Sequence, residues 1–244
     1  MDNLKTRIWP QPNIVVIGGG TGISTLLKGL KLQTENLTAI VTVADDGGSS
    51  GRLRKELGIL APGDIRSCLI ALANKENKMK DLLKYRFNSG KLSGHSFGNI
   101  FIAAMAGIHE DYAQAIRETG KVLSITGQVL PVTTENMKLK AKLTNGEFVL
   151  GESKIPLISQ KMSSSIEKIY LEPKDISITE DVYKAILEAD LIIIGPGSLY
   201  TSIIPNILVN GLVSTVKKSK AKVIYLANIM TEAGETSKYN LREH

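Results

Sequence analysis

The sequence predicts an α/β fold organised on a parallel β-sheet, and three observations carry that prediction. Asn13-Ile14-Val15-Val16-Ile17 is a short, largely apolar run, followed at once by Gly18-Gly19-Gly20-Thr21-Gly22. Such a run suits a strand buried on both faces, and the glycines suit a turn into a helix. The same order returns at Asp190-Leu191-Ile192-Ile193-Ile194 and Gly195-Pro196-Gly197-Ser198. Between these two units, residues 137–143 and 147–150 alternate around Thr144-Asn145-Gly146, the signature of an antiparallel hairpin.

Taken in order, residues 1–12 are polar, carry two prolines around Gln11, and read as a lead-in arm. After the first strand and its loop, Ile23, Leu26, Leu27 and Leu30 recur at helical spacing. The apolar, β-branched run 37–43 is the second strand, so the chain opens as a βαβ unit. Residues 52–57 predict a helical turn, Ala61-Pro62-Gly63-Asp64 a break, and residues 65–73 the next helix, with Asp64 near its start. A charged amphipathic helix at 77–87, a glycine-bounded break at 90–94, an apolar helix at 97–108 and another helix at 112–119 follow. This stretch, residues 52–120, reads as a helical insertion over one end of the sheet. Short strands at 122–125 and 128–132, the hairpin, and a strand at 166–171 make residues 122–171 a small antiparallel β flap. The alternation resumes with a helix at 180–189, helical stretches at 199–209 and 211–216, and a last strand at 222–226. No internal repeat interrupts the pattern, and a single domain over residues 1–244 is expected.

Composition bounds the function. An apolar content of 43% supports a substantial core, whereas aromatics at 5% argue against base-stacking or carbohydrate platforms made of rings. The formal charge of +6 suits an acidic ligand, but Lys and Arg are scattered without a block, which favours a solvated basic surface over a nucleic-acid groove. Cys68 is the lone cysteine and lies in an apolar run, so no intramolecular disulfide forms and nothing resembles a zinc site. No apolar run approaches a membrane span and no signal region precedes the fold, so a cytoplasmic location is expected.

The chemistry is concentrated in loops at strand ends. Ala44-Asp45-Asp46-Gly47-Gly48-Ser49-Ser50-Gly51-Arg52 follows the second strand and gathers carboxylates, hydroxyls, glycines and an arginine unsuited to a packed core. It reads as a ligand-binding loop: Asp accepts from hydroxyls and Arg clamps a phosphate, with an ordinary polar turn as the alternative. Gly18 to Gly22 opens a helix, where amides meet an anion. Gly18 and Gly20 fit a dinucleotide pattern but the third position is Ile23, so a phosphate fits better than NAD. Asp45 or Asp46 stands where an acid meets a ribose, holds a divalent metal such as magnesium, or acts as a base. Gly195-Pro196-Gly197-Ser198 repeats the cradle, with Ser198, Thr201 and Ser202 just inside the next helix, and two cradles point to a diphosphate. Asp64, Arg66, His95, Ser96 and Asn99 are weaker candidates, with Arg66 within reach of a phosphate.

These motifs together resemble the gluconeogenesis factor family (YvcK-like proteins), relatives of the phospholactate transferases of deazaflavin-coenzyme synthesis. The resemblance rests on Ile17 to Gly22, residues 44–54, Pro62-Gly63-Asp64-Ile65-Arg66, Gly94-His95-Ser96-Phe97-Gly98-Asn99, and Ile194 through Ser202, and covers nearly the whole chain. It implies a Rossmann-like sheet with helices on both faces and a nucleotide-sugar site for UDP-N-acetylglucosamine. It also implies a regulatory role linking gluconeogenic carbon metabolism with cell-wall precursor supply and cell shape, with no reaction generally assigned. Both glycine loops would take the diphosphate, residues 45–52 would border the ligand, and Asn228 and Thr231 would line the mouth. The alternative is a transferase acting on a deazaflavin precursor, with Asp45 or Asp46 holding magnesium or activating a hydroxyl. Residues 94–99 and the Gly-Gly-Ser-Ser-Gly-Arg form of the loop depart from the transferase branch. Members of the factor family usually continue past residue 244, so the C-terminal part of the family fold is expected to be missing. A homodimer and unidentified protein partners are left open.

Overall fold

The computed structural model describes residues 11–74 and 77–244, so residues 1–10 of the expected lead-in arm lie outside the described residues. The chain opens with β1 (Ile14–Gly18), α1 (Gly20–Leu30) and β2 (Leu37–Val41). Helices α2 (Gly48–Leu57), α3 (Gly63–Leu72), α4 (Asn77–Lys84), α5 (Phe97–Ile108) and α6 (Tyr112–Leu123) follow before β3 (Gln128–Pro131). Next come β4 (Lys138–Leu143), β5 (Phe148–Leu150), a 3-10 turn (Glu152–Lys154), α7 (Ile155–Lys161) and β6 (Ile166–Glu172). The last third holds α8 (Glu180–Leu187), β7 (Leu191–Ile194), a π-helical turn (Leu199–Ile203), α9 (Ile204–Ile207), α10 (Leu212–Lys218) and β8 (Lys222–Tyr225).

Five strands form one parallel sheet in the order β3-β2-β1-β7-β8, and β5-β4-β6 form a separate antiparallel sheet. In the main sheet the order reverses between β1 and β7, and the carboxyl ends of strands at such a point leave a crevice for a ligand. Side chains alternate across it as the strand period requires. Val16, Ala39 and Val41 pack with Ile23 and Leu27 of α1, Ile65 and Leu69 of α3, Ile102 of α5 and Ile116 of α6. On the other face Val15, Ile17, Ile40 and Ile192 meet Leu139, Ala141, Ile169 and Leu171 of the small sheet, with Val182 and Ile186 of α8 and Leu212 of α10. Helices therefore cover both faces, and the small sheet shares the second.

Two expected strands change place. Residues 122–125 are the end of α6 and the turn after it, with Ile125 making only an isolated bridge to Ala73. Residues 128–131 pair in parallel with β2, Val41 opposite Pro131, so this segment is the edge of the main sheet and the flap shrinks to the strands from 138 onward. A short apolar strand carries no local mark of its partner, and parallel pairing is always non-local. The hairpin forms as expected: β4 and β5 are antiparallel, and Gly146 takes φ +89° in the turn.

Caps explain several boundaries. Asp111 accepts from the N–H groups of Ala113 and Gln114 at the start of α6, and Thr179 accepts from that of Val182 at the start of α8. Each satisfies an N–H that the first helical turn leaves without an intrahelical partner.

Candidate functional site

The glycine loops after β1 and β7 meet at the point of strand-order reversal and enclose a cavity of about 500 Å³, lined also by Thr42, Asp45, Asp64, Glu152, Asn228 and Glu232. Close packing explains the glycines. A Cβ on Gly19 would lie 2.6 Å from Asp64 Oδ2, and one on Gly22 would lie 2.5 Å from the Pro196 carbonyl oxygen. Gly22 is thus the seam between the two loops. Gly20 adopts φ +65°, which favours glycine, and begins α1 with the cavity before it.

Asp45 and Asp46 diverge. Asp45 accepts from the Gly47 N–H at 2.9 Å and turns its carboxylate toward the start of α3 at the cavity wall. Asp46 instead accepts from the Ser153 N–H at 2.9 Å and ties the loop to the 3-10 turn, away from the lining. Gly47, Gly48, Ser49 and Ser50 lie at the start of α2 rather than against the cavity. Ser49 is buried 3.1 Å from His95 Nδ1 and accepts from the Ser96 N–H, while Ser50 accepts from Asn99 at 3.4 Å. These contacts hold α2 to the start of α5. Arg52 donates to the Ser93 carbonyl at 2.8 Å. The clamp on the opening loop is Arg54, which donates to the carbonyls of Ala44, Asp45 and Met137 and to the Asn136 side chain. Arg66 lies along Gly98 and does not line the cavity.

The second loop is already supplied with acceptors from its own chain. Asn228 accepts from the Gly197 N–H and donates to its carbonyl, Ser198 donates to Glu232 at 2.9 Å, and Glu235 accepts from the Tyr200 N–H and the Thr201 hydroxyl. Ser202 faces Gly20 across the cavity. Thr231 is exposed and outside the lining, where Glu232 stands instead.

Electrostatically the cavity is acidic: four carboxylates and no Lys or Arg line it among the described residues. Asp64, set at the cavity floor, accepts from the Gly20 N–H, yet burial and then the neighbouring Asp45 push its pKa up to about 7. Glu152 is pushed up to about 8 by burial and by Asp45, Asp64, Asp46 and Glu235. Burial likewise raises Glu235. Such shifts mean that uptake of a proton or a cation is favourable here. Among the described residues no group of three or more His, Cys, Asp or Glu is disposed to hold a metal ion. Asp45 and Asp64 are hard oxygen donors of the kind magnesium takes, with further oxygens coming from a bound phosphate or water.

Sequence reasoning missed Thr42, Glu152, Glu232 and Glu235. Thr42 continues a β-branched run and carries no mark of its own, and Glu152 reaches the cavity only because the small sheet folds over it. Glu232 and Glu235 lie beyond the last strand, where a lone Glu is ordinary surface composition.

The comparisons with known proteins agree with this architecture. The family model described as CofD, 2-phospho-L-lactate transferase, matches residues 14–244. A protein from Thermoanaerobacterium thermosulfurigenes, provisionally named a gluconeogenesis factor, is 55% identical over 233 residues, covering 96% of this chain and 72% of its own. The gluconeogenesis factor of Bacillus subtilis is 49% identical over 235 residues, covering 96% and 73%. The chain spans only 52% of a longer relative from Clostridium acetobutylicum. A crystal structure of a UPF0052 family member from Bacillus halodurans superposes with a TM-score of 0.92 at 47% identity, covering 96% of this chain and 74% of that one. With the family model matching residues 14–244 and relatives about half identical over 96% of this chain, the chain belongs to the gluconeogenesis factor family and carries a CofD-like domain.

Proposed function

We propose that the cavity binds a nucleoside diphosphate sugar of the UDP-N-acetylglucosamine type, and that the protein is a cytoplasmic regulatory factor linking gluconeogenic carbon metabolism with cell-wall precursor supply and cell shape. The observation that carries the reading is the convergence of two glycine loops on one cavity of about 500 Å³ at the strand-order reversal. The amide-rich start of α1 suits the diphosphate. The Ser198, Asn228 and Glu232 side offers carboxylate and amide oxygens, which suit hydroxyl groups. No helix among the described residues is long and apolar enough to cross a membrane.

A diphosphate entering a cavity lined by four carboxylates and no base needs its charge offset. Magnesium bound with the ligand supplies that neutralisation, with Asp45 and Asp64 as its protein donors. Titration calorimetry with UDP-N-acetylglucosamine, with and without magnesium, tests the reading. Binding that strengthens with magnesium is expected; no binding in either buffer overturns it.

A second reading, transfer of a phosphate-bearing group to a deazaflavin precursor, is favoured by one observation. Asp64 and Glu152 have pKa values near neutrality, as a group that moves a proton from an acceptor hydroxyl requires. Product formation from that substrate pair would replace the regulatory reading.

A further inference from the structure

The turn after α4 gathers positive charge that the cavity lacks. Arg52, from α2, donates to the carbonyl of Ser93 at 2.8 Å, and Arg86 donates to the next carbonyl, that of Gly94, at 3.1 Å. Arg86 also pairs across an isolated bridge with Ser96, directly before α5. Arg66 reaches the same place from α3 and lays its stem along Gly98: a Cβ on Gly98 would lie 2.7 Å from Arg66 Cδ. Among the described residues none of these three arginines makes an ion pair with a carboxylate. Arg52 and Arg86 are explained as clamps on the turn. Arg66 is not.

The Arg66 side chain makes no hydrogen bond among the described residues, and its Nε is buried without a partner. Burial first, and then the charge of Arg86, disfavour its protonated form, while Asp45 and Asp64 act on it only from outside ion-pair distance. A half-buried guanidinium that repels its neighbour and satisfies nothing costs stability unless something else binds it. A tetrahedral oxoanion offsets the uncompensated charge. It accepts a paired fork from the two Nη groups of Arg66, neutralises the repulsion with Arg86, and lies where α5 opens without a side-chain cap at Ser96.

We propose that Arg52, Arg66 and Arg86 form a binding site for a phosphate-type oxoanion on the turn 93–98, beside the carboxylate-lined cavity and outside its lining. The phosphate is either a free anion or the charged tail of a nucleotide seated in the cavity, and the two sources separate experimentally.

Calorimetry with inorganic pyrophosphate and, separately, with UDP is run on the full chain and on Arg66→Met, Arg86→Gln and Gly20→Val, with circular dichroism as the folding control. Arg66→Met and Arg86→Gln are each expected to weaken pyrophosphate binding about tenfold or more, the loss of one charge-assisted fork. If the anion binds alone, Gly20→Val leaves pyrophosphate affinity unchanged; if it is a nucleotide's tail, all three variants weaken UDP. Thermal melting in low-salt, phosphate-free buffer supplies a readout that a structural role would not give. Arg66→Met is expected to raise the melting temperature there and to abolish the stabilisation that pyrophosphate gives the parent chain. A lowered melting temperature for Arg66→Met, or unchanged affinity for both anions in both arginine variants, overturns the site. Pyrophosphate and UDP-sugar binding that both persist unchanged in the arginine variants would overturn this site while leaving the cavity reading intact.

Discussion

Asp45 directs its carboxylate to the cavity wall, whereas Asp46, one residue on, is spent on the Ser153 N–H. The pair was legible in the sequence as unusual, but a strand end leaves the direction of each side chain to the loop that follows. At this scale the pH behaviour is the sharpest test. Asp64 and Glu152 have native pKa values near 7 and 8, above those of an unfolded carboxyl. Between roughly pH 4 and pH 8 the native state therefore binds more protons than the unfolded one, so their contribution is complete at low pH and is lost as the pH rises through the native values. Asp64→Asn and Glu152→Gln should each flatten the fall in stability over that window. At pH 8 each should raise the melting temperature by about 2–4 °C, the shift for about 1 kcal/mol in a domain of this size. A variant that melts lower than the parent at pH 8 would show that the carboxylate is a net structural acceptor. Arg52 and Arg54 carry a related lesson: equivalent by composition, they face opposite sides of α2, and only Arg54 holds the opening loop.

At the scale of elements, the readable signals were those with local causes. Apolar runs named β1, β2 and β7, Thr144-Asn145-Gly146 named the hairpin, and glycine loops named the starts of α1 and of the π-helical turn. Asp111 before α6 is another local device, accepting from two N–H groups and standing 3.7 Å from Arg117. Asp111→Ala should destabilise the protein by about 1 kcal/mol, the usual cost of losing a cap, in urea unfolding monitored by circular dichroism. A change near zero would mean that water replaces the cap without loss. Local signals failed at 122–132. The last turn of α6 has an apolar residue, Leu123, facing the core, and β3 is a short apolar strand, and both read as flap strands until β2 selected β3 as its parallel neighbour.

For the whole molecule, the sheet is stabilised unevenly. Every residue of β1 is buried between two layers of side chains, whereas all four residues of β8 are exposed. Val223, Ile224 and Tyr225 are each at least 39% exposed, which leaves this edge with little packing to hold it. Hydrogen exchange should find the amides of Val15, Val16 and Ile17 among the slowest in the protein and those of β8 the fastest of the parallel strands. Equal protection in β1 and β8 would mean that something covers that edge in solution.

The sequence by itself determined the parallel α/β framework, the two glycine loops and the strand-end carboxylates, because strand periodicity, glycine conformational freedom and helix starts are properties of a few neighbouring residues. Only the tertiary structure decided which of those residues share a cavity. It brought Glu152 across from the small sheet, filled the second cradle with Glu232 and Glu235, sent Ser49, Ser50 and Asn99 beneath the surface, and set Arg66 beside Arg86 rather than in the cavity. Those outcomes depend on contacts between residues distant in the chain, where burial and paired charge set a side chain's role and sequence spacing carries no record of either.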